Sequence, residues 1–420
     1  MLMNKDQLFI TLEIINQSLQ SIRENRLRTT LSILGVTIGI MAVIIVGTIS
    51  QGGSKVIFSE LQTFGLKSLW IFRDHNDDDP NKATRIGTGI NNYDLNIIEN
   101  GCCRSISLIT PIVNSSKLSP YINKNGNFSK SAISGVGINY LRINNDKLTS
   151  GRNFRKDDIT KNRNLIIIGS EIKQKLFPNQ ASVLGSTLRI ESRKFTIIGI
   201  IKNKSRDFLS SIGSNSEEDI NSRILIPYTT FQSMLGLKKE ISLLQAESVS
   251  IENAKKAATE ITNILDRHHS NKFKYRSETM AQYIETANHI LRGVSVIGII
   301  AASVSLIVGG MGIMNIMTTS VIERTREIGL RKAVGAQENH ILYQFIIESI
   351  FISSIGGFLG LIIGLLGSFL IAILASFPLT PSWEMIVIAL VTSIFVGVIS
   401  GYYPAMRAAK MQPVTALRYD

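Results

Sequence analysis

The 420-residue chain is poor in cysteine, histidine, aromatic residues and charge. Its two cysteines, Cys102 and Cys103, exclude a disulfide framework and a cysteine-built structural zinc site. Five histidines (His75, His268, His269, His289 and His340) form no HExxH, so the zinc-hydrolase motif is absent. There is no GxxxxGK[ST] and hence no P-loop in these residues. No Ser-His-Asp or Cys-His constellation stands out, which argues against catalysis here. Charged residues make up 18% against 44% hydrophobic, which excludes long disorder. A mean hydropathy of +0.17 also sits badly with a purely soluble protein. What the chain has in excess is positive charge, formally +13. That sign suits nucleic acid, an anionic lipid surface or the orientation signal of a membrane protein.

Long apolar runs decide among these. Leu31–Ser50, Gly293–Thr318, Ser349–Trp383 and Met385–Ala405 contain no Asp, Glu, Lys or Arg. A bilayer core about 30 Å thick needs roughly 20 apolar residues at ~1.5 Å each, and every run meets that length. The reading is a membrane protein with four transmembrane α-helices, at 31–52, 290–318, 344–377 and 385–405. The expected partner of the positive charge is membrane lipid and not nucleic acid. No charged group is expected at membrane depth, which argues against a proton- or ion-coupled transporter. The first span is too long and too far from the start for a cleaved signal peptide. Before it, Leu8, Leu12, Ile15, Leu19 and Ile22 line one helical face, predicting an interfacial amphipathic helix within residues 1–30.

Basic residues set the orientation. Arg23, Arg26 and Arg28 precede the first span, Arg324, Arg326, Arg331 and Lys332 separate the second and third, and Arg407, Lys410 and Arg418 follow the fourth. The link Ser376–Glu384 has none. Both termini, the segment 319–343 and the tail 406–420 are therefore expected in the cytoplasm of a cell with this protein in its inner (cytoplasmic) membrane. The short loop 378–384 and the large insert 53–289 are expected outside.

The insert reads as an α+β domain. Lys67–Arg73, Leu165–Ile168 and Arg223–Pro227 are predicted strands. Ser170 is expected to cap a helix through Phe177, stopped by Pro178. Leu188–Ile190 and Phe195–Ile201 read as a hairpin around Glu191–Lys194, and Ile251–His268 as a helix with Ala254, Ala257, Ala258, Ile261 and Leu265 on one face. Met280, Ile284, Ala287 and Leu291 run into span two, and Val56, Ile57, Leu61 and Phe64 continue span one, which fits two helical stalks carrying the insert or two helices that stop near the membrane. Asp77–Asp79 lacks the offset Glu of a calcium loop and reads as a solvated turn. Cys102 and Cys103 read as buried small residues or a redox-sensitive pair; no metal site is expected.

Two features carry mechanism. Glycines recur at helical spacing: Gly35 and Gly39; Gly356, Gly360 and Gly364; Gly397 and Gly401; with Gly309, Gly310 and Gly312 in mid-span. Small residues let backbones approach where lipid offers no hydrophobic drive, so these are candidate helix-packing positions. The stretch VIERTREIGLRKAVGA (Val321–Ala336) follows an uncharged span with interleaved charges. Glu323–Glu327 and Glu327–Arg331 have i,i+4 spacing, and Ile322, Thr325, Ile328 and Gly329 form a less charged face. A short amphipathic helix with that pattern suits docking of a soluble protein, beside the plainer reading of a positive-inside loop.

The blocks RENRLRTTLSILGVTIGI (Arg23–Ile40), SLIVGGMGIMNIMTTSVIERTREIGLRKAVGA (Ser305–Ala336), QFIIESIFISSIGGFLGLIIG (Gln344–Gly364) and GYYPAMRAAKMQPVTALRYD (Gly401–Asp420) resemble MacB-like permeases of the FtsX-type ABC transporter family. In the insert, Ser134–Phe154, Leu165–Pro178, Leu184–Ile190 and Phe195–Ile201 are similar to the family's external domain. The resemblance implies a homodimer and a two-lobed external domain, a porter lobe plus a sabre-like lobe. It implies a cytoplasmic ABC ATPase docked on Glu323, Arg324, Thr325, Arg326, Glu327, Ile328, Gly329 and Arg331. ATP and Mg would be bound by that separate ATPase subunit and no cofactor by this chain, which makes it a non-enzymatic efflux permease working by mechanotransmission on an extracytoplasmic antibiotic, peptide or lipid-like substrate. A membrane-fusion (periplasmic adaptor) protein is a further implied partner. An FtsX-like regulator of cell-wall hydrolases and a lipoprotein-releasing subunit share the layout and stand as alternatives.

Overall fold

The computed structural model describes residues 26–62, 65–74, 89–115, 121–124, 127–178, 180, 182–204, 220–236, 240–270, 272–374 and 381–417. The expected interfacial helix in 1–30, apart from Arg26 onward, and the Asp77–Asp79 turn lie outside these residues, as does the side chain of Cys102. The chain divides into two units, Met1–Val56 with Asn288–Asp420, and Ile57–Ala287.

Along the chain, α1 (Arg26–Gln62) comes first. The inserted α/β domain follows: β1 (Ser68–Arg73), β2 (Ile90–Asn91), α2 (Asn92–Ile97), β3 (Ile106–Asn114), β4 (Tyr121–Lys124), β5 (Asn127–Lys130), β6 (Ala132–Val136), α3 (Tyr140–Ile143), β7 (Leu148–Gly151), α4 (Lys156–Thr160), β8 (Leu165–Ile168), α5 (Ser170–Leu176), β9 (Thr187–Ile190) and β10 (Arg193–Ile201). It continues with β11 (Arg223–Pro227), α6 (Tyr228–Leu235), β12 (Glu240–Ile241), β13 (Leu243–Ser248), α7 (Ala254–His268) and β14 (Tyr275–Thr279). Then come α8 (Met280–Glu323), α9 (Thr325–Ala333), α10 (Glu338–Leu374), α11 (Trp383–Ala409) and α12 (Pro413–Leu417).

In the inserted domain one mixed sheet runs β14-β1-β13-β3-β6-β11-β8-β10-β7, with β9 paired to β10. β11 lies parallel to β6 and β10 to β8; the other neighbours are antiparallel. Two large apolar cores sit on this one sheet. Leu69, Ile71 and Leu244 pack with Ala257, Ile261 and Leu265 of α7. Ile166, Ile168, Phe195 and Ile224 pack with Ile172 of α5 and Phe231 of α6. The run Leu165–Ile168 shows why: Ile166 and Ile168 face the second core, while Ile167 points the other way into a smaller cluster with Val136 and Leu225. Side chains alternate along a strand, so a strand buried on both faces reads as an unbroken apolar run.

Local expectations shift by a few residues. Ser170 is the first helical residue of α5, not its cap. The N-cap is Gly169, with no side-chain hydrogen bond. A Cβ at Gly169 would collide with the Asn221 carbonyl, so the position takes glycine and the cap moves back by one. The hairpin turn is tighter than Glu191–Lys194: Arg193 already pairs with Ile190, and Glu191 takes φ +49° to close it. α7 starts at Ala254, three residues later than expected.

Among the described residues, four helices, α1, α8, α10 and α11, are long and apolar enough to cross a membrane. Both stalk extensions are helical: α1 continues to Gln62 and α8 begins at Met280. The start of α8 is fixed by a reciprocal cap, Thr279 N–H donating to Gln282 Oε1 and Gln282 N–H to Thr279 Oγ1 at 3.0 and 3.2 Å.

Register gives the directions of the spans. Gly35 meets Gly309 while Ser32 meets Gly312, so α1 and α8 are antiparallel. Gly356, Gly360 and Gly364 meet Val36, Ile40 and Ile44 in step, so α1 and α10 are parallel. Gly357, Ser353 and Ser349 meet Ser393, Gly397 and Gly401 in reverse order, so α10 and α11 are antiparallel. Two lateral hydrogen bonds join the ends of the bundle remote from α9: Ser54 Oγ to Asn288 Oδ1 at 2.8 Å and Ser382 Oγ to Gln51 Oε1 at 2.9 Å.

Candidate functional site

The predicted docking stretch does not form one helix. α8 runs on to Glu323, the chain breaks at Arg324, and α9 spans Thr325–Ala333. Thr325 Oγ1 donates to Val321 and Ile322 carbonyls at 3.1 and 2.8 Å, satisfying acceptors at the end of α8. Glu327 lies in the first turn of α9 and Arg331 and Lys332 in the last, which complements the helix dipole. Gly335 ends the helix at φ +105°, a conformation that side chains with a Cβ resist.

Thr325, Ile328 and Gly329 are buried, as expected of the less charged face. Ile322 is not part of that face: it lies on α8, before the break, and is 51% exposed. Gly329 lies against Ala416 of α12, close enough that an added Cβ would fall 2.6 Å away. Lys332 Nζ donates to the Ala409 and Met411 carbonyls at 2.6 and 2.9 Å, capping the end of α11. Arg331 bridges Glu327 (2.5 Å) and Gln344 Oε1 (2.9 Å). Together these contacts fasten α9 to α10, α11 and α12.

Glu323, Arg326 and Glu327 remain exposed on α9 and the end of α8. Leu330 and Val334 are exposed beside them, 59% and 84%. These two apolar residues were missed at the sequence level. Their signal is the i,i+4 step Arg326, Leu330, Val334, which places them on the charged face and off the buried one.

Glu348 was also missed, and it corrects the expectation of charge-free spans. It sits within α10, inside the 344–377 span, is 1% exposed, and pairs with Arg324 at 3.5 Å. A buried carboxylate without its partner is costly, so this pair ties the α8–α9 break to α10.

The predicted packing glycines all lie at helix contacts inside the chain. A Cβ at Gly35 would fall 2.7 Å from the Gly309 Cα, at Gly39 2.6 Å from Leu306, at Gly310 2.6 Å from Ser400 Oγ, and at Gly360 2.7 Å from the Thr37 carbonyl. Gly312 abuts Ser32, Gly356 Val36 and Gly364 Ile44. Hydroxyls add lateral bonds: Ser305 Oγ to Gly35 O at 2.9 Å, Thr37 Oγ1 to Gly356 O at 3.2 Å and Ser393 Oγ to Ser353 O at 2.8 Å. The serines opposite the glycines, Ser349, Ser353 and Ser393, were not singled out from sequence, although they repeat at the same four-residue step as Gly357, Gly397 and Gly401.

Cys103 is buried, at the margin of a cavity of about 530 Å³ in the inserted domain. Apolar side chains such as Ile98, Ile109 and Ile138 line it together with Glu99, Lys156 and Tyr228.

Comparison with known proteins places both units. Residues 29–264 match the MacB-like periplasmic core domain, and residues 299–413 match the FtsX-like permease C-terminal domain. The chain is 30% identical to the ABC transporter permease YknZ of Bacillus subtilis (strain 168), covering 97% of this chain and 99% of that protein. It is 30% identical to the macrolide export ATP-binding/permease protein MacB of Rhodopirellula baltica over 95% of this chain, and spans 61% of that relative's length. The crystal structure of the periplasmic region of MacB from Actinobacillus actinomycetemcomitans overlaps 55% of this chain and 97% of its own at 19% identity, with a TM-score of 0.43.

Proposed function

Since the chain belongs to the MacB-like, FtsX-type family of ABC transporter permeases, we propose that it is the membrane subunit of an ATP-driven exporter acting by mechanotransmission. The basic residues beside the spans orient it with both termini and α9 in the cytoplasm and the inserted domain outside. ATP and Mg are bound by a cytoplasmic ATPase partner. This chain works as a homodimer on an antibiotic, peptide or lipid-like substrate already outside the cytoplasm, with a membrane-fusion adaptor as a further partner. The regulatory and lipoprotein-releasing alternatives are not favoured by the relatives.

One observation carries the reading: α9 is fastened on its buried side and exposes Arg326, Glu327 and Leu330 on the other, beside exposed Glu323 at the end of α8 and Val334 just past α9. Interleaved charges give such a face specificity and orientation, and two exposed apolar side chains give it area to bury. A push on α9 reaches α8 through Arg324 and α10 through the Arg324–Glu348 pair. α8 is continuous over 44 residues, roughly 66 Å at 1.5 Å per residue, so it carries displacement without an intervening loop.

The test is ATPase stimulation in reconstituted membranes. Glu323→Lys with Glu327→Lys reverses two exposed charges and breaks the Glu327–Arg331 pair, but leaves Thr325, Ile328, Gly329 and the Lys332 contacts in place. The expected result is loss of partner stimulation by tenfold or more with normal membrane insertion. Stimulation equal to that of the unmodified chain rejects α9 as the docking site.

A further inference from the structure

A second cluster lies in the inserted domain, far along the sequence from α9. Asp94 sits in the first turn of α2 and is 1% exposed. It is part of a capping box: Asn91 Oδ1 accepts from the Tyr93 and Asp94 N–H groups, and Asp94 Oδ2 accepts from Asn91 N–H at 2.8 Å. That fixes the carboxylate with its remaining lone pairs turned toward the end of α7. There His268 Nδ1 lies 2.6 Å from Asp94 Oδ1, and His269 Nε2 lies 3.1 Å from Asp94 Oδ2. One ligand atom from each of the three residues lies within 4.8 Å of the others.

Four features favour a cation at this point. The donor set is two imidazoles and a carboxylate, the set that borderline divalent metals such as zinc take. Ligand atoms around a tetrahedral zinc, at bonds of about 2.0–2.2 Å, stand about 3.3 Å apart, so an ion here asks the Asp94–His268 and Asp94–His269 atoms to part slightly and any pair near 4.8 Å to close. The histidines also end α7, where the negative pole of the helix favours positive charge. The rings are held in place by neighbours: the Tyr93 ring lies tilted 5.0 Å from His268, and Phe273 meets His269 edge-on at 5.8 Å. The His268 side chain is 35% exposed, which leaves solvent access to a fourth coordination position.

We propose that Asp94, His268 and His269 form a divalent transition-metal site, with zinc as its best-suited occupant and water as the fourth ligand. The Asn91 N–H bond to Asp94 is the outer-shell contact that orients the carboxylate. Occupancy fastens the end of α7 to the start of α2, so it stiffens that side of the inserted domain.

The test uses the full chain in detergent, free of any affinity tag and stripped with chelator. Cobalt(II) titration is expected to give tetrahedral d–d absorption saturating at one ion per chain and displaced by zinc. In competition with a chromogenic chelator, His268→Gln and His269→Gln are each expected to weaken zinc binding about tenfold or more. His289→Gln, outside the cluster, is expected to leave it unchanged. Cobalt spectra without tetrahedral bands in the unmodified chain overturn the proposal, whatever the variants do. So does equal loading of the folded His268→Gln/His269→Gln double variant, which would leave two hydrogen-bonded imidazoles on a carboxylate and nothing more.

Discussion

The membrane bundle and the inserted domain bury their residues by opposite rules. Between α10 and α11, glycine faces serine: Gly397 against Ser353, Gly401 against Ser349, Gly357 against Ser393. On the sheet, large side chains face one another: Phe231 and Phe195 with Ile166, Ile168 and Ile224. Many of the bundle's large apolar side chains point outward, with Ile297 70%, Phe369 65% and Phe395 63% exposed, while Ile40, Ile44 and Phe345 are buried among the helices. In water, removing apolar surface is the main drive, so the bulkiest groups go inside. In lipid that drive is absent between helices, and close backbone approach and lateral hydrogen bonds replace it.

The largest expected break comes from removing bulk where bulk does the holding. Phe231→Ala empties a fully buried site and is expected to cost the inserted domain about 3–5 kcal/mol, read from denaturant unfolding of the full chain. A cost under about 1 kcal/mol would remove the claim that this core is tightly packed. The converse change adds bulk in the bundle. Gly309→Leu drives a side chain into the backbone of α1 at Gly35 and Val36, where nothing flexible can move aside. About 1–3 kcal/mol or more is expected, seen as lost monodispersity and a lower melting temperature in detergent. Its partner control, Ile297→Ala on the exposed face, is expected to stay within about 0.5 kcal/mol. If the two bundle variants melt alike, the comparison fails.

A smaller effect belongs to charge. Asp158 is buried in the inserted domain; burial alone would raise its pKa, but hydrogen bonds from Arg152 and the Arg155 N–H and the charges of Arg152 and Arg163 outweigh it. The carboxyl is held below its ordinary 3.8. A folded-state pKa depressed in this way stabilises above the unfolded value and is lost as pH falls through the folded one. Acid unfolding of Asp158→Asn is therefore expected to be less steep below about pH 4 than that of the unmodified chain, and the two slopes are expected to agree at neutral pH.

Legibility followed the same divide. The four spans were readable because each is a local run whose length alone meets the bilayer. Leu165–Ile168, Arg223–Pro227 and the apolar face of α7 were readable for a similar reason, since periodicity is local. Gly169 as the N-cap of α5 was not, because the reason for it is the Asn221 carbonyl, fifty-odd residues away in sequence. The break at Arg324 was hidden inside a charge pattern that fits one unbroken helix. Glu348 falls inside the expected 344–377 span, but its partner Arg324 lies in another stretch of sequence, so the pair shows only in the structure.

What the sequence determined by itself was the solvent of each segment: long uncharged runs for lipid, alternating and amphipathic runs for the inserted domain, and the basic flanks beside the spans. Those properties depend on neighbours along the chain. Tertiary structure alone decided which small residue meets which, that the inserted domain's cores share a single sheet, and that Asp94 meets His268 and His269 from 174 residues away. Such contacts are set by the register between elements, and register is fixed only when whole surfaces pack.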